Sequence, residues 1–527
     1  MQQLGGKRPD GKPRWTTLEL PYSVLPPAPK QYGQGPPVLI IVRGVDPQPL
    51  HLPREAEEPL HEYIRLGGTT GVTQPTLMGS AAAAENFWAD WKEILSQNLP
   101  PGTPIRSLSD IDTTYVRAWL KERPRSRSSA PDRFAIVDGK VQRLVPQSVD
   151  RPGIFSGRNI RDPNRGRIRR MLMAADLTFN IGRGAAVPNP GAAVQHDNTV
   201  DWVVRWLDPI THKKRYLRLA PSSPSEQGGF LAKFNLAQRV LHAMPRYARR
   251  YDQLLASRHL AAQQLGVCLW MIGNLGVRVG GVAATGSSNA VTHGATTLQV
   301  RHISIGRAGS AARIDFPGKD GIRYVRSINV PPSVAKAVRA SQSGKGLTDA
   351  LFDRVSADKV NRQIFRLVPG ASAKVIRTAQ TCALFEHHLL AAEASIGHPH
   401  GAPLPRAAAR SALLIALARA AMFCNHRKTC TERSVMDLSL LETELDRIER
   451  EYRNRPTDIS RAVRLVVNRG CVSMYTIRTS YIDPRIIFAF CARNNFPVNS
   501  PLCFGAGGIA SRNWAKNTQG DFRFFYK

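Results

Sequence analysis

Acidic residues are scarce in this chain: 40 Asp and Glu stand against 73 Lys and Arg over 527 residues, a formal charge of +33. A surplus that large, spread along the chain, suits a polyanionic partner, nucleic acid above all. Because it is not gathered on one amphipathic segment, it argues against a membrane-surface role. No apolar run reaches the ~18 residues of a membrane span. The seven cysteines are odd in number, include no Cys-x-x-Cys and follow no secretory leader pattern. They read as reduced thiols of the cytosol or nucleus. Cys424, His426 and Cys430 lie close together, but no second cluster completes a zinc site. There is no G-x-x-x-x-G-K-[ST] phosphate loop and no acidic cluster suited to catalytic magnesium. Asp110 and Asp112 read as surface or capping residues. No cofactor and no metal are expected.

What is present is enough to fold. Hydrophobic residues make up 42%, which excludes wholesale disorder, and the length suggests roughly three or four domains of ~150 residues. Residues 1–15 are Gly, Lys, Arg and Pro-rich and read as a mobile tail. The run 38–42 reads as a buried strand, 67–84 as a small-residue loop, and Asn86, Phe87, Trp88 and Trp91 as anchors of a helix. The basic stretch 123–129 fits a phosphate contact, an import signal or a solvated loop equally well. Two glycines in 153–158 allow close backbone approach, which would let Arg158 reach a groove or phosphate. A basic run over 165–170 follows. Residues 200–207 and 215–219 read as strands, and 226–280 as helical, with Gly266, Gly273 and Gly276 weakening the pattern. Residues 297–305 and 312–330 read as β, the second interrupted by Pro317-Gly318-Lys319-Asp320-Gly321, a hairpin tip with Lys319 projecting. Lysine on a tight tip is also a common solubilising device. Residues 347–395 and 405–425 read as helices. Leu438, Leu441, Leu445, Ile448 and Tyr452 form a heptad seam, broken at 456–458, with a second stripe at Ile459, Val463 and Val466: a short helical hairpin.

The chemistry centres on Arg478-Thr479-Ser480-Tyr481-Ile482-Asp483-Pro484-Arg485. Asp-Pro disfavours helix through Asp483, and arginines flank the tyrosine. A phenol attacks a phosphodiester only where the phosphate charge is neutralised. One tyrosine among twelve proves little, since most are packing residues. Upstream, however, stand Arg278 in Leu-Gly-Val-Arg-Val-Gly, Lys319 in Phe-Pro-Gly-Lys-Asp-Gly, Arg377 in Lys-Val-Ile-Arg-Thr and His426 in Cys-Asn-His-Arg.

The order Arg, Lys, Arg, His, Tyr in these contexts closely resembles the eukaryotic-type (type IB) DNA topoisomerases. The resemblance runs from roughly Arg14 to the C-terminal region and takes in Asn86 to Lys92, Gly153 to Arg158, His196-Asp197-Asn198 and Leu351 to Arg354. It implies an α+β multidomain fold. A mixed α/β DNA-binding cap with part of the core would occupy 16–222, and a mostly helical catalytic core of the topoisomerase IB/tyrosine recombinase type 223–430. A short helical-hairpin linker would follow at 431–469, then a small helical C-terminal domain at 470–527. It implies Tyr481 as nucleophile, Arg278, Arg377 and His426 as donors to the phosphate oxygens, and Lys319 as general acid. Arg158, Asp320, Arg323 and Lys374 would contact DNA. The implied partner is double-stranded DNA, gripped by a monomeric clamp without membrane association. The implied compartment is the nucleus, or the cytoplasm or virion if the source is a large DNA virus.

Three departures stand out. Val279-Gly280-Gly281-Val282 follows the first arginine, where the family carries an Ala-Gly-Asn-Glu-like run. The linker is short, and the long charged N-terminal tail of nuclear members is not seen. A tyrosine recombinase shares the chemistry but carries His-x-x-Arg at the second arginine, where this chain has Lys374 three residues before Arg377. A non-catalytic basic DNA-binding relative is the alternative from another class.

Overall fold

The computed structural model describes residues 13–25, 36–40, 47–67, 80–122, 133–146, 148–157, 162–220, 224–281, 292–306, 309–395, 402–427, 436–454, 459–504 and 510–525. Arg158, Cys430 and the basic stretch 123–129 lie outside the described residues. The chain divides into two compact units, one of residues 2–220 with 284–290 and one of residues 221–283 with 291–527. Together they make a multidomain, mixed α and β protein.

The first unit holds two cores. One is built on a seven-stranded sheet formed by β1 (Leu18–Glu19), β5 (Phe134–Val137), β6 (Lys140–Val145), β12 (Lys214–Leu219), β11 (Trp202–Leu207), β9 (Leu177–Asn180) and β10 (Ala193–Gln195), in that spatial order. Only β9 and β10 pair in parallel. Alternation puts Val204, Leu217 and Phe179 in the core, as expected of strands with one face buried. The other core packs α1 (Arg54–Arg65), α2 (Ala81–Asn98) and α3 (Thr114–Glu122) with a small sheet of β3 (Gln48–Leu50), β2 (Val38–Ile40) and β4 (Ile111–Asp112). Tyr63 stacks on Phe87 at 4.0 Å, and Phe87 lies 5.6 Å from Trp91, whose indole N–H donates to the Ala56 carbonyl. The expected loop to residue 84 ends earlier: Ser80 caps α2, its hydroxyl accepting from Ala83 N at 3.2 Å. Asp110 and Asp112 do cap, accepting backbone N–H groups of Ser107 and Thr114.

The basic run 165–170 is engaged by carboxylates of its own unit, though Arg167 and Arg170 stay exposed. Arg165 is buried, while Arg167, Arg169 and Arg170 pair with Asp90, Asp208 and Asp176. These pairs and a two-stranded ribbon of β7 (Gly153–Ile154) and β8 (Ile168–Arg169) hold the segment against its own unit.

The second unit is mostly helical. Its centre is α10 (Arg406–Phe423), alanine-rich and buried on nearly every side, as a helix apolar all round must be. Around it pack α9 (Ala373–Ser395), α11 (Leu438–Asn454), α12 (Ser460–Arg469) and α13 (Tyr475–Ser480). The remaining helices are α4 (Pro224–His242), α5 (Met244–Leu255), α6 (Leu260–Leu275), α7 (Pro332–Gln342), α8 (Ala357–Leu367) and α14 (Pro484–Arg493). The single helical stretch read over 226–280 is thus three helices. The last stops at Gly276, whose φ of +61° makes the left-handed cap that L-residues resist. The seam Leu438, Leu441, Leu445, Ile448 and Tyr452 is buried, with the Tyr452 hydroxyl donating to the Ala408 carbonyl.

A three-stranded sheet of β13 (Ile303–Ile305), β14 (Ala311–Pro317) and β15 (Arg323–Asn329) completes this unit. The β reading of 297–305 holds only for its last three residues. Ala295–Thr297 and Val300–His302 wind instead as 3-10 turns. Backbone groups there are taken elsewhere: Ala295 N and Thr296 N donate to Arg278 O and Val279 O, and Val300 N and Arg301 N to Asp349 O and Leu347 O, so they do not extend the β13 ladder.

Candidate active site

The second unit brings two of the sequence-marked residues, Arg377 and His426, against Tyr481. Arg377 sits in the first turns of α9, only 2% exposed. Its guanidinium donates from Nε to the Gly276 carbonyl (2.6 Å), from Nη1 to the Tyr481 hydroxyl (3.0 Å) and from Nη2 to the Cys424 carbonyl (3.3 Å). Three acceptors from three separate segments fix one planar fork, which a flexible ammonium does not reproduce. The guanidinium carbon lies 5.3 Å from the centre of the Tyr481 ring.

Tyr481 is 5% exposed and forms the C-cap of α13, with Asp483 opening α14 two residues later. Asp-Pro therefore separates two helices and leaves the tyrosine at the joint. Cys382, one turn beyond Arg377 on α9, pins both sides of that joint: its thiol donates to Tyr481 O (3.1 Å) and accepts from Asp483 N (3.3 Å). Burial, chiefly, raises this thiol, so it stays protonated. Lys233 of α4 donates to the carbonyl of Ser480, one residue before the tyrosine. Burial first, then Lys374, press Lys233 down to about 8.

His426 follows α10, its backbone held by Ala421 O and by Ser473 N. The imidazole stands edge-on to the Tyr481 ring at 5.1 Å between centroids. At 9% exposure, neither ring nitrogen has a hydrogen-bond partner among the described residues. Burial, and then the charges of Arg377, Arg278 and Lys319, push it down to about 3. It is neutral at physiological pH, with one N–H to donate.

Arg278, half-buried, lies two residues beyond the Gly276 cap. The unusual glycines after it have a local reason. Gly280 has φ +82°, and a Cβ on Gly294 would fall 2.4 Å from Gly280 N, so the two backbones touch and clasp the arginine segment. Lys319 is exposed on the 3-10 turn Lys319–Gly321 between β14 and β15, the expected hairpin tip. Phe316 stacks on Tyr324 at 5.0 Å beneath it, and Arg323 forks onto Asp315 at 2.6 and 2.7 Å. Lys374 is exposed on the first turn of α9, and of Asp320 only the backbone position on the tip is described.

The arginines flanking the tyrosine are engaged elsewhere. Arg485 binds the buried Asp483 carboxylate (2.7 Å), Asn235 and Gln238, while Arg478 donates to the Pro501 carbonyl. Nothing local to Lys233 or Cys382 marked them in the sequence. Both depend on contacts about a hundred residues or more away.

Comparison with known proteins matches residues 227–458 to the eukaryotic DNA topoisomerase I catalytic core, and residues 123–219 to the eukaryotic DNA topoisomerase I DNA binding fragment. The two matches together cover more than half of the chain. Among similar proteins, DNA topoisomerase 1 beta of Arabidopsis thaliana is 26% identical across 98% of this chain and 60% of its own length. A mitochondrial DNA topoisomerase I of Pan troglodytes is 25% identical across 93% of this chain and 88% of its own. DNA topoisomerase 1 of Mus musculus is 25% identical across 79% and 61%. The chain spans about three-fifths of the length of the Arabidopsis relative.

Proposed function

Since the chain belongs to the eukaryotic DNA topoisomerase I family, we propose that it relaxes supercoiled duplex DNA by cutting and resealing one strand through Tyr481. The observation that carries this reading is the buried Arg377 guanidinium donating to the Tyr481 hydroxyl at 3.0 Å beside a neutral His426 whose ring nitrogens have no partner among the described residues. The Tyr481 oxygen attacks a backbone phosphorus as its proton passes to water, and the bond to the 5′-oxygen breaks. A 3′-phosphotyrosyl link and a free 5′-hydroxyl result. Arg377, Arg278 and His426 donate to the non-bridging oxygens as their charge grows in the transition state. Lys319 protonates the departing oxygen from its hairpin tip in the groove. The new phosphodiester holds the energy of the old one, so resealing reverses the step without a nucleotide.

The finer architecture belongs to the same proposal. Residues 16–222 act as cap and part of the core, 223–430 as catalytic core, 431–469 as linker hairpin and 470–527 as the tyrosine-bearing domain, closing as a monomeric clamp on duplex DNA. Arg158, Asp320, Arg323 and Lys374 contact that DNA, Arg323 while forked to Asp315. The compartment is the nucleus. Among the described residues no helix is long and apolar enough to cross a membrane.

The test incubates the full chain and Tyr481→Phe with supercoiled plasmid, EDTA and no ATP. Relaxation by the wild type alone, with denaturant-trapped protein on 3′ ends, is expected. Relaxation by Tyr481→Phe would sink the assignment.

A further inference from the structure

Past the tyrosine, two thiols meet that the proposed chemistry does not use. Cys491 lies on α14, and Cys503 in the turn that follows it, 12 residues on. Their sulfurs are 3.7 Å apart, at 6% and 0% exposure. The turn carrying Cys503 also holds the helix in front of the nucleophile: Arg478 of α13 donates to the carbonyls of Pro501 and Leu502. Arg512 donates to Arg478 O at 3.4 Å and lies over the Phe504 ring at 5.2 Å, and Phe504 packs on Phe488 of α14 at 5.1 Å. One short stretch, 501–504, thus braces the elements on both sides of Tyr481.

We propose that Cys491 and Cys503 are a reversible dithiol–disulfide site, whose oxidation stiffens the segment that presents Tyr481. A disulfide needs the sulfurs at about 2 Å, an approach that side-chain rotation in a shared contact can supply. The oxidant is a small peroxide, able to enter where bulky disulfides are excluded. One thiol, losing its proton, takes an oxygen from hydrogen peroxide to become a sulfenic acid, releasing water. The second thiol then displaces that oxygen as a second water, leaving the S–S bond. Two thiols lose two protons and two electrons, and the peroxide becomes two waters. The hydrogen bond with Cys503 and burial both raise Cys491, so the reaction is slow and favours brief openings of the 497–504 turn. Closing this loop restricts the open states of α14 and its following turn.

The experiment treats the full wild-type chain with hydrogen peroxide, alkylates remaining thiols, digests it and reads peptides by mass spectrometry. Cys471, partly exposed, is the internal control for reagent access. A Cys491–Cys503 linked peptide is expected, lost on dithiothreitol treatment and not formed by Cys503→Ser. In the linked protein, amide exchange across 484–493 should slow on the order of tenfold or more. Recovery of both cysteines as alkylated or singly oxidised peptides while Cys471 has reacted would overturn the site. Unchanged exchange in linked protein would overturn the stiffening. Neither readout depends on DNA cleavage, so failure here and failure of the topoisomerase reading are separate results.

Discussion

Arg377 shows how much a single side chain does here. Its three acceptors, Gly276 O, Tyr481 Oη and Cys424 O, need the fork of a guanidinium. Arg377→Lys should therefore lower single-turnover strand cleavage by ~10²–10³-fold, the scale of losing one preorganised oxyanion donor, with a much smaller change in duplex affinity. Cleavage within a few-fold of wild type would argue against the assigned role. His426 gives a prediction of known sign. Its folded value of about 3 lies below the 6.5 of an exposed imidazole, so between those limits the unfolded chain binds the extra proton. The stability this site contributes is full above pH 6.5 and declines as pH falls toward 3. Buried His61 and His302, each pushed to about 4 chiefly by burial, add to the same acid limb. Denaturant midpoints measured against pH should show His426→Gln flattening that limb in part; an unchanged slope would count against a neutral buried imidazole.

Between helices, the joint at Ile482 decides where the tyrosine points. Asp483, wholly buried, caps α14 through Arg485 N and holds the Arg485 guanidinium. Asp483→Ala removes the cap and strands a cation, so unfolding free energy of this unit should drop by ~3–5 kcal/mol, the range for breaking one side of a buried pair. Asp483→Asn keeps a capping oxygen and should lose less. Equal losses in chemical denaturation would place the effect in packing rather than in cap and charge. The hairpin α11–α12 is fastened in a similar way: Arg419 of α10 binds Asp446 and Glu449, and Glu449 also meets His388 of α9. These partners outweigh burial and draw Glu449 down to about 2.

For the molecule as a whole, internal pairs such as those of Arg167, Arg169 and Arg170 with aspartates cancel and leave the net surplus of +33 to the other basic residues. Enough remains to predict binding dominated by phosphates. Log affinity for a random duplex should fall linearly with log salt at roughly −0.9 per phosphate neutralised, with little dependence on sequence. Filter binding over a salt series measures it, and a slope shallower than about −2 would be at odds with a broad phosphate interface.

The sequence by itself determined the parts whose signals are local. Lys319 was legible because proline and glycine make a tip wherever they fall, Asp483-Pro484 because that pair breaks a helix, and the Leu438 seam because its period survives any context. The order of five reactive residues, of four types, was legible for the same reason. Only the tertiary structure decided what depends on distant neighbours. It bent 295–302 away from the sheet, because the backbones of 278–279 and 347–351 take up its hydrogen bonds. It buried Arg165, set Arg169 and Arg485 against the buried carboxylates of Asp208 and Asp483, and paired the exposed Arg167 and Arg170 with Asp90 and Asp176, which charge counting cannot foresee. It also set Cys382 and Lys233 against the nucleophile's backbone and made His426 neutral, since burial and the sum of nearby charges exist only once the chain has closed on itself.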